Sequence, residues 1–150
     1  MKTIRCHLGS RSYPIYVGSH LLERIATLVR TDGMRNTRVM IVTTRRIGRL
    51  YRAPLQRSLE RIPAVVACHY VPEGEKAKSQ TELFRLYQAL LRHRCDRQST
   101  LIALGGGVVG DLTGFCASTY MRGIRFITVP TTLLAQVDSA IGGKTAINIP

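Results

Sequence analysis

Leu101-Ile102-Ala103-Leu104-Gly105-Gly106-Gly107-Val108-Val109-Gly110-Asp111 decides how the rest of the chain reads. Four consecutive apolar residues suit a strand buried on both faces. Three glycines end that strand, and the pattern G-x-G-x-x-G then runs into a helical stretch extending to about Tyr120. In this context such a pattern can hold an anion. Glycines let the backbone approach closely, and the free N–H groups of the first helical turn point at the ligand. The same glycines would also serve tight packing of helix on strand, so the pattern alone leaves both uses open. An ordinary dinucleotide fingerprint adds an acidic residue about 20 positions later. Here that region is Val129-Pro130-Thr131-Thr132, with no acid, and the loop sits late in the chain rather than in the first strand–helix unit.

Upstream, Val39-Met40-Ile41-Val42 and Ala64-Val65-Val66-Ala67-Cys68 are further buried-strand runs, and Phe126-Ile127-Thr128-Val129 follows before Pro130. Ile47, Leu50, Tyr51, Leu55 and Leu59 recur at helical spacing, with a break or kink expected near Pro54. Ser79 and Glu82 form an S-x-x-E capping box ahead of Leu83, Leu86, Tyr87, Leu90 and Leu91. This alternation predicts an α/β fold, a Rossmann-like open and mostly parallel sheet with helices on its faces. Ahead of it, residues 3–8 alternate, with Ile4, Cys6 and Leu8 on one side, and Tyr13, Ile15 and Val17 alternate after Gly9-Ser10-Arg11-Ser12. They predict an antiparallel pair of half-buried strands, with Pro14 placing the second at an edge. Leu21, Leu22, Ile25, Leu28 and Val29 predict a helix ending near Thr31-Asp32-Gly33. Residues 1–150 are expected to form one domain.

The net charge of +13 raises the possibility of a nucleic-acid partner. The basic residues are dispersed, and with aromatics at 6% no stacking platform is interleaved among them. Solvated arginines with some attraction for anionic metabolites is the better reading, and no nucleic-acid partner is expected. Cys68 and Cys116 sit in apolar surroundings and read as small buried hydrophobes. No C-x-x-C, H-x-x-x-H or H-E-x-x-H pattern occurs, so no metal site is expected from these residues. Neither a signal-peptide core nor an apolar run of the ~18–20 residues that cross a bilayer is seen, which gives the expectation of a cytoplasmic protein without a membrane partner.

Two more clusters carry chemistry. Pro72-Glu73-Gly74-Glu75-Lys76-Ala77-Lys78-Ser79 lies past the end of a strand, where α/β proteins bind ligands. Glu75 can accept from ribose hydroxyls and Lys78 can meet a phosphate, although a Glu/Lys loop is also an ordinary solvated turn. From Thr131 to Ile149 small, polar and glycine residues recur at site-like spacing. Thr131 or Thr132 can cap a helix, Asp138 needs partners if buried, and Gly142-Gly143-Lys144 presents an ammonium on a tight turn. A chain end rarely looks like this, and the expectation is of a site interrupted at Pro150.

Together these segments resemble the 3-dehydroquinate synthases, most closely from Pro72 onward and above all in LGGGVVGDLTGFCASTYMRGIRFITVPTTLLAQVDSAIGGKTAIN, residues 104–148. The resemblance implies NAD and a divalent metal, zinc or cobalt. It also implies conversion of 3-deoxy-D-arabino-heptulosonate 7-phosphate, a phosphorylated sugar acid, to 3-dehydroquinate and phosphate, which makes the family carbon–oxygen lyases. By matching position, Glu75 and Lys78 would hold the adenosine side of NAD, and Gly106, Gly107, Val108, Val109 and Asp111 would line its pyrophosphate and neighbouring ribose. Thr131 and Thr132 would contact it near the nicotinamide. Asp138 would bind substrate hydroxyls, and Lys144 would face both the substrate phosphate region and the cofactor. Arg122 is similar to a family arginine that reaches across a homodimer toward the partner's substrate; its plainer use is a surface residue beside a turn.

Thr43-Thr44-Arg45-Arg46 departs from the Thr-Asn or Asp-x-Asn often found there, leaving the Thr43 or Thr44 hydroxyl to serve the ribose. The resemblance places the metal ligands, a glutamate and two histidines, in a helical second domain after residue 150, with several substrate-binding lysines and arginines. The expectation is a segment that holds NAD without turnover. Cyclitol synthases and metal-dependent polyol dehydrogenases share this platform. A basic anion- or nucleic-acid-binding module is the alternative from another class, and binding that survives physiological salt would favour it.

Overall fold

The computed structural model describes residues 1–30 and 37–149. Strands β1 (Lys2–Cys6) and β2 (Tyr13–Val17) pair antiparallel, Ile4 facing Ile15 and Arg5 facing Pro14. They form a separate two-stranded ribbon, which accommodates Pro14 because no third strand asks for its missing N–H. The first strand stops at Cys6 rather than Leu8, and Ile4 and Leu8 are exposed instead of half-buried. β2 is half-buried from Tyr13 to Tyr16, as expected, and β1 is the strand left mostly to solvent. The helix expected from Leu21 begins as a 3-10 turn over Leu21–Arg24 and becomes α1 at Ile25–Arg30. Its expected end at Thr31-Asp32-Gly33 lies outside the described residues.

The main sheet holds β3 (Thr37–Thr44), β4 (Ala64–Val71), β5 (Thr100–Gly105) and β6 (Arg125–Pro130), all parallel in the order β4-β3-β5-β6. Helices α2 (Arg45–Leu59), α3 (Gln80–Arg92) and α4 (Gly107–Thr119) make the three crossovers. The first steps outward from β3 to β4, and the second returns over β3 to β5. The connections therefore diverge at the carboxyl ends of β3 and β5, which is where open α/β sheets bind ligands.

The two-residue period of the strands divides the interior. Val39, Ile41, Ile102 and Leu104 pack with Leu55 and Leu59 of α2 and Ile25 of α1. Met40, Val42, Leu101 and Ala103 face the other way, onto Leu83, Leu86 and Leu90 of α3 and Leu112 and Cys116 of α4. The α/β expectation is met, with three local corrections. β4 is an edge strand rather than one buried on both faces: Val65 is 64% exposed, and Cys68, though packed against the apolar cluster of Val39, Ile41 and Leu55, is only half-buried, with Arg52 and Tyr70 also beside it. α2 runs unbroken through Pro54. The carbonyl that Pro54 leaves without a donor belongs to Leu50, whose side chain is 61% exposed, so water can satisfy it. Its buried line is Gly48, Leu55, Ser58 and Leu59, and Leu50 and Tyr51 point outward. In α3 the capping box is half closed. Ser79 Oγ accepts from the Glu82 N–H at 3.3 Å, while the Glu82 carboxylate turns to Arg85; Leu91 is exposed.

Candidate functional site

Three loops meet at the carboxyl edge of the sheet. β5 ends opposite β6, Gly105 beside Pro130, and the Thr131 N–H donates to the Gly105 carbonyl at 3.0 Å. A Cβ at Gly105 would lie 2.7 Å from Val109, at Gly106 3.1 Å from the Thr132 methyl, and at Gly107 3.0 Å from Ser139 Oγ. Close packing, not a left-handed backbone, demands these three glycines, since none has a positive φ. Gly110 is different: a Cβ there would meet nothing within 4 Å. Gly110 also lines a small cleft, together with Ala103, the three turn glycines and Ser139.

α4 begins against this cleft with Gly106 as its cap residue and no side chain to satisfy its first N–H groups. The first backbone bond of the helix is from the Gly110 N–H to the Gly106 carbonyl at 3.1 Å, so the amides of Gly107, Val108 and Val109 precede it. Val109 sends its side chain into the core, leaving only its backbone for a ligand. Thr132 caps the turn that follows β6, its Oγ1 accepting from the Ala135 N–H at 3.2 Å. The Thr131 hydroxyl is buried without a hydrogen-bond partner.

Lys78 draws the second loop in. Its Nζ lies 2.9 Å from Asp111 Oδ2 on α4 and 3.3 Å from Glu75 Oε1. The Asp111 carboxylate, and after it Glu75, push the Lys78 ammonium above its usual range. That stabilisation is complete below about 10.4, the usual lysine value, and is lost as the pH rises through the raised value. The terminal segment then folds back over the loop. The Asn148 N–H donates to the Lys78 carbonyl at 2.7 Å, and its amide Nδ2 donates to Glu75 Oε1 at 3.0 Å. Farther along α4, a Cβ at Gly114 would lie 2.2 Å from the Thr145 methyl and 3.0 Å from Phe126.

The Asn148 amide, then Lys78, hold the Glu75 carboxyl below its usual range. A depressed folded value stabilises fully above the unfolded one, about 4.3, and the effect disappears as the pH falls through the lower value. Amide exchange at Asn148 is therefore expected to speed beyond its intrinsic pH dependence as the pH falls below about 4.3. Asn148→Ala should abolish the linked response at the Lys78 loop. Intrinsic behaviour throughout would mean that Glu75 does not hold the segment.

Thus Glu75, Lys78, Gly106, Gly107, Val108, Asp111, Thr131 and Thr132 converge. Asp138 and Lys144 lie on the turns beyond, exposed and ion-paired to one another rather than buried. Arg122 is not brought in. It follows α4 at the opposite, amino edge of the sheet, in a turn where Met121, Arg122 and Gly123 have φ of 49°, 70° and 109°. Thr44 Oγ1 is used as the cap of α2, accepting from the Ile47 N–H at 3.3 Å, and the buried Thr43 hydroxyl donates to the Thr44 carbonyl at 3.4 Å. Both hydroxyls proposed for the ribose already have partners. Among the described residues no three His, Cys, Asp or Glu side chains gather to hold a metal ion.

Sequence reasoning missed Gly114, Ser139 and Asn148. The first was findable, because Gly107, Gly110 and Gly114 recur at i, i+3 and i+7, one face of a helix. Ser139 shares its side of a turn with Ala135 four residues earlier. For the Asn148 tie no local pattern exists.

Residues 68–150 match the family described as 3-dehydroquinate synthase N-terminal. The 3-dehydroquinate synthase of Desulforamulus reducens is 49% identical over 148 residues, which cover 99% of this chain and 41% of that protein. That of Symbiobacterium thermophilum is 47% identical over 143 residues, 95% of this chain and 40% of that protein. The chain spans about two-fifths of the length of these relatives. Among solved structures, 2-deoxy-scyllo-inosose synthase complexed with carbaglucose-6-phosphate, NAD+ and Co2+ superposes with a TM-score of 0.89 at 24% identity, over 99% of this chain and 40% of that one. At that identity the likeness speaks to the fold. The 2-epi-5-epi-valiolone synthase of Streptomyces hygroscopicus with NAD+ and Zn2+ bound gives a TM-score of 0.71 at 28% identity, over 84% of this chain and 35% of that one.

Proposed function

The chain belongs to the 3-dehydroquinate synthase family, whose N-terminal domain it matches, and we propose that it is the dinucleotide platform of such a synthase. In that reading the whole protein converts 3-deoxy-D-arabino-heptulosonate 7-phosphate to 3-dehydroquinate and phosphate. The observation that carries it is the uncapped start of α4 beside an open cleft at the switch point of the sheet, within the stretch that matches the family. Bare N–H groups and the helix dipole favour an anion there. Gly110 leaves room for it, and the Thr131 hydroxyl is buried without a partner. These residues fit NAD, which when bound supplies a hydride acceptor for a substrate hydroxyl.

The amides of Gly106, Gly107, Val108 and Val109 would grip the diphosphate. Glu75, Lys78 and Asp111 would fix the adenosine side, already linked as they are through Lys78. Thr132 and Thr131 would steady the nicotinamide half. Asp138 and Lys144, now neutralising each other, would separate to meet substrate hydroxyls and the phosphate region. The zinc or cobalt site belongs in this reading to residues after 150, and so does turnover: the 150-residue chain alone binds NAD+ and stays inactive. A cytoplasmic homodimer, with Arg122 serving the partner's substrate, completes the proposal, and the opposite-edge location of Arg122 is what a reach away from its own site would require.

The test replaces the matched two-fifths of the Desulforamulus reducens synthase with this chain. Heptulosonate-dependent phosphate release by the chimera, with NAD+ binding but no release by the chain alone, is the expected pair of results. A folded chimera that binds NAD+ yet acts on glucose 6-phosphate instead would favour a cyclitol synthase. Absence of NAD+ binding in both proteins would overturn the platform itself.

A further inference from the structure

The turn after β6 ends in a π-helical stretch, Ala135–Ser139, that lies over the start of α4. Ala135 and Ser139 line the cleft, and Asp138 between them stays exposed. Ser139 Oγ is shut off from solvent and has no hydrogen-bond partner. It sits 3.0 Å from where a Cβ of Gly107, the first residue of α4, would be. A buried hydroxyl without a partner costs free energy, so one left in that state requires an explanation. Here the explanation is chemical. Nothing caps α4, its leading N–H groups need an acceptor, and the Ser139 O–H needs one too. A single anionic oxygen placed at the turn satisfies both.

We infer that Ser139 is a further cofactor-holding residue, donating its O–H to the diphosphate of the dinucleotide alongside the amides of the glycine turn. The inference rests on the dinucleotide reading above and adds to it a side chain from the far side of the cleft. It also gives the π turn a purpose, since wide turns of this kind recur where a helix bends to aim a group at a ligand. The diphosphate would then be held by backbone amides and by one hydroxyl.

The experiment titrates the 150-residue chain and its Ser139→Ala variant with NAD+ and with ADP-ribose, which keeps the diphosphate and both riboses but lacks nicotinamide, and records thermal melts of both proteins. The variant should bind both ligands roughly ten- to a hundred-fold more weakly, the range of a hydrogen bond to a charged group. Its melting temperature should be unchanged or higher, because it sheds an unpaired buried hydroxyl. Equal affinities of the two proteins would overturn the inference and leave the dinucleotide reading standing. A lowered melting temperature would reveal a structural serine, and a loss confined to NAD+ would move the contact to the nicotinamide; either defeats the assignment. If the parent chain binds neither ligand, the dinucleotide reading fails and the Ser139 contact falls with it.

Discussion

Leucine in place of Gly110 is expected to leave the chain as stable as before, or about 1 kcal/mol more stable, while cutting its affinity for NAD+ about a hundred-fold or more. The two effects have separate causes. Gly110 lies in the interior of α4 with no special φ, where glycine disfavours a helix by about 0.8–1.0 kcal/mol relative to alanine, and leucine is nearly as favourable as alanine. An added Cβ meets nothing within 4 Å, so no clash opposes that gain. Gly110 lines the cleft beside the uncapped amides, and a long side chain there would compete with a ligand for that space. Calorimetric titration with NAD+ and a thermal melt of the same protein read both at once. A variant that is stable and binds NAD+ like the parent would show that the ligand does not lie over Gly110.

The largest change in stability should come from Leu55→Ala, at about 2–5 kcal/mol, with Leu50→Ala in the same helix within about 0.5 kcal/mol of the parent. Leu55 is fully buried between α2 and the sheet, against the strand residues Val39, Ile41 and Ile102. Deleting its methyl groups removes their transfer free energy and leaves a cavity that the rigid strands cannot close. Leu50 faces water, so alanine there loses little and has slightly better helix propensity. Urea unfolding of both variants settles the matter. Similar losses at both positions would mean that α2 is rotated from the orientation described.

That pair also shows what the sequence could and could not reveal. The strand–helix alternation and the parallel sheet were legible because long apolar runs such as Leu101–Leu104 have few other uses. Their exact surroundings were not. Ala64–Cys68 reads as apolar as Val39–Val42, yet one strand closes the sheet edge and the other lies inside it, which depends on the order of strands and not on their composition. In α2, Leu50 and Leu55 both fit a helical stripe, and only the position of the sheet selects between them. The capping box was recognisable from Ser79 and Glu82, but Arg85 stands three residues on, and the spacing alone does not choose whether the glutamate serves the cap or the arginine. At the site, the glycine turn and the Glu75–Lys78 loop stood out as local clusters. The link between Lys78 and Asp111, 33 positions apart, and the hold of Asn148 on Glu75 exist only because the chain returns to the same edge. The three-glycine face of α4 was present in the spacing and overlooked, since the G-x-G-x-x-G pattern directs attention to the turn and away from the helix behind it.

The sheet is a wall between two interiors, and the glycine face, Lys78 and Asp111 all stand on the α3–α4 side of it. The α2 side is consequently an independent setting screw for robustness. Cavities or fillings introduced around Leu59 would change how readily the molecule comes apart while leaving the grip on an anion nearly untouched, so a spectroscopic label attached to the outer flank of α2 would report unfolding without interfering with capture.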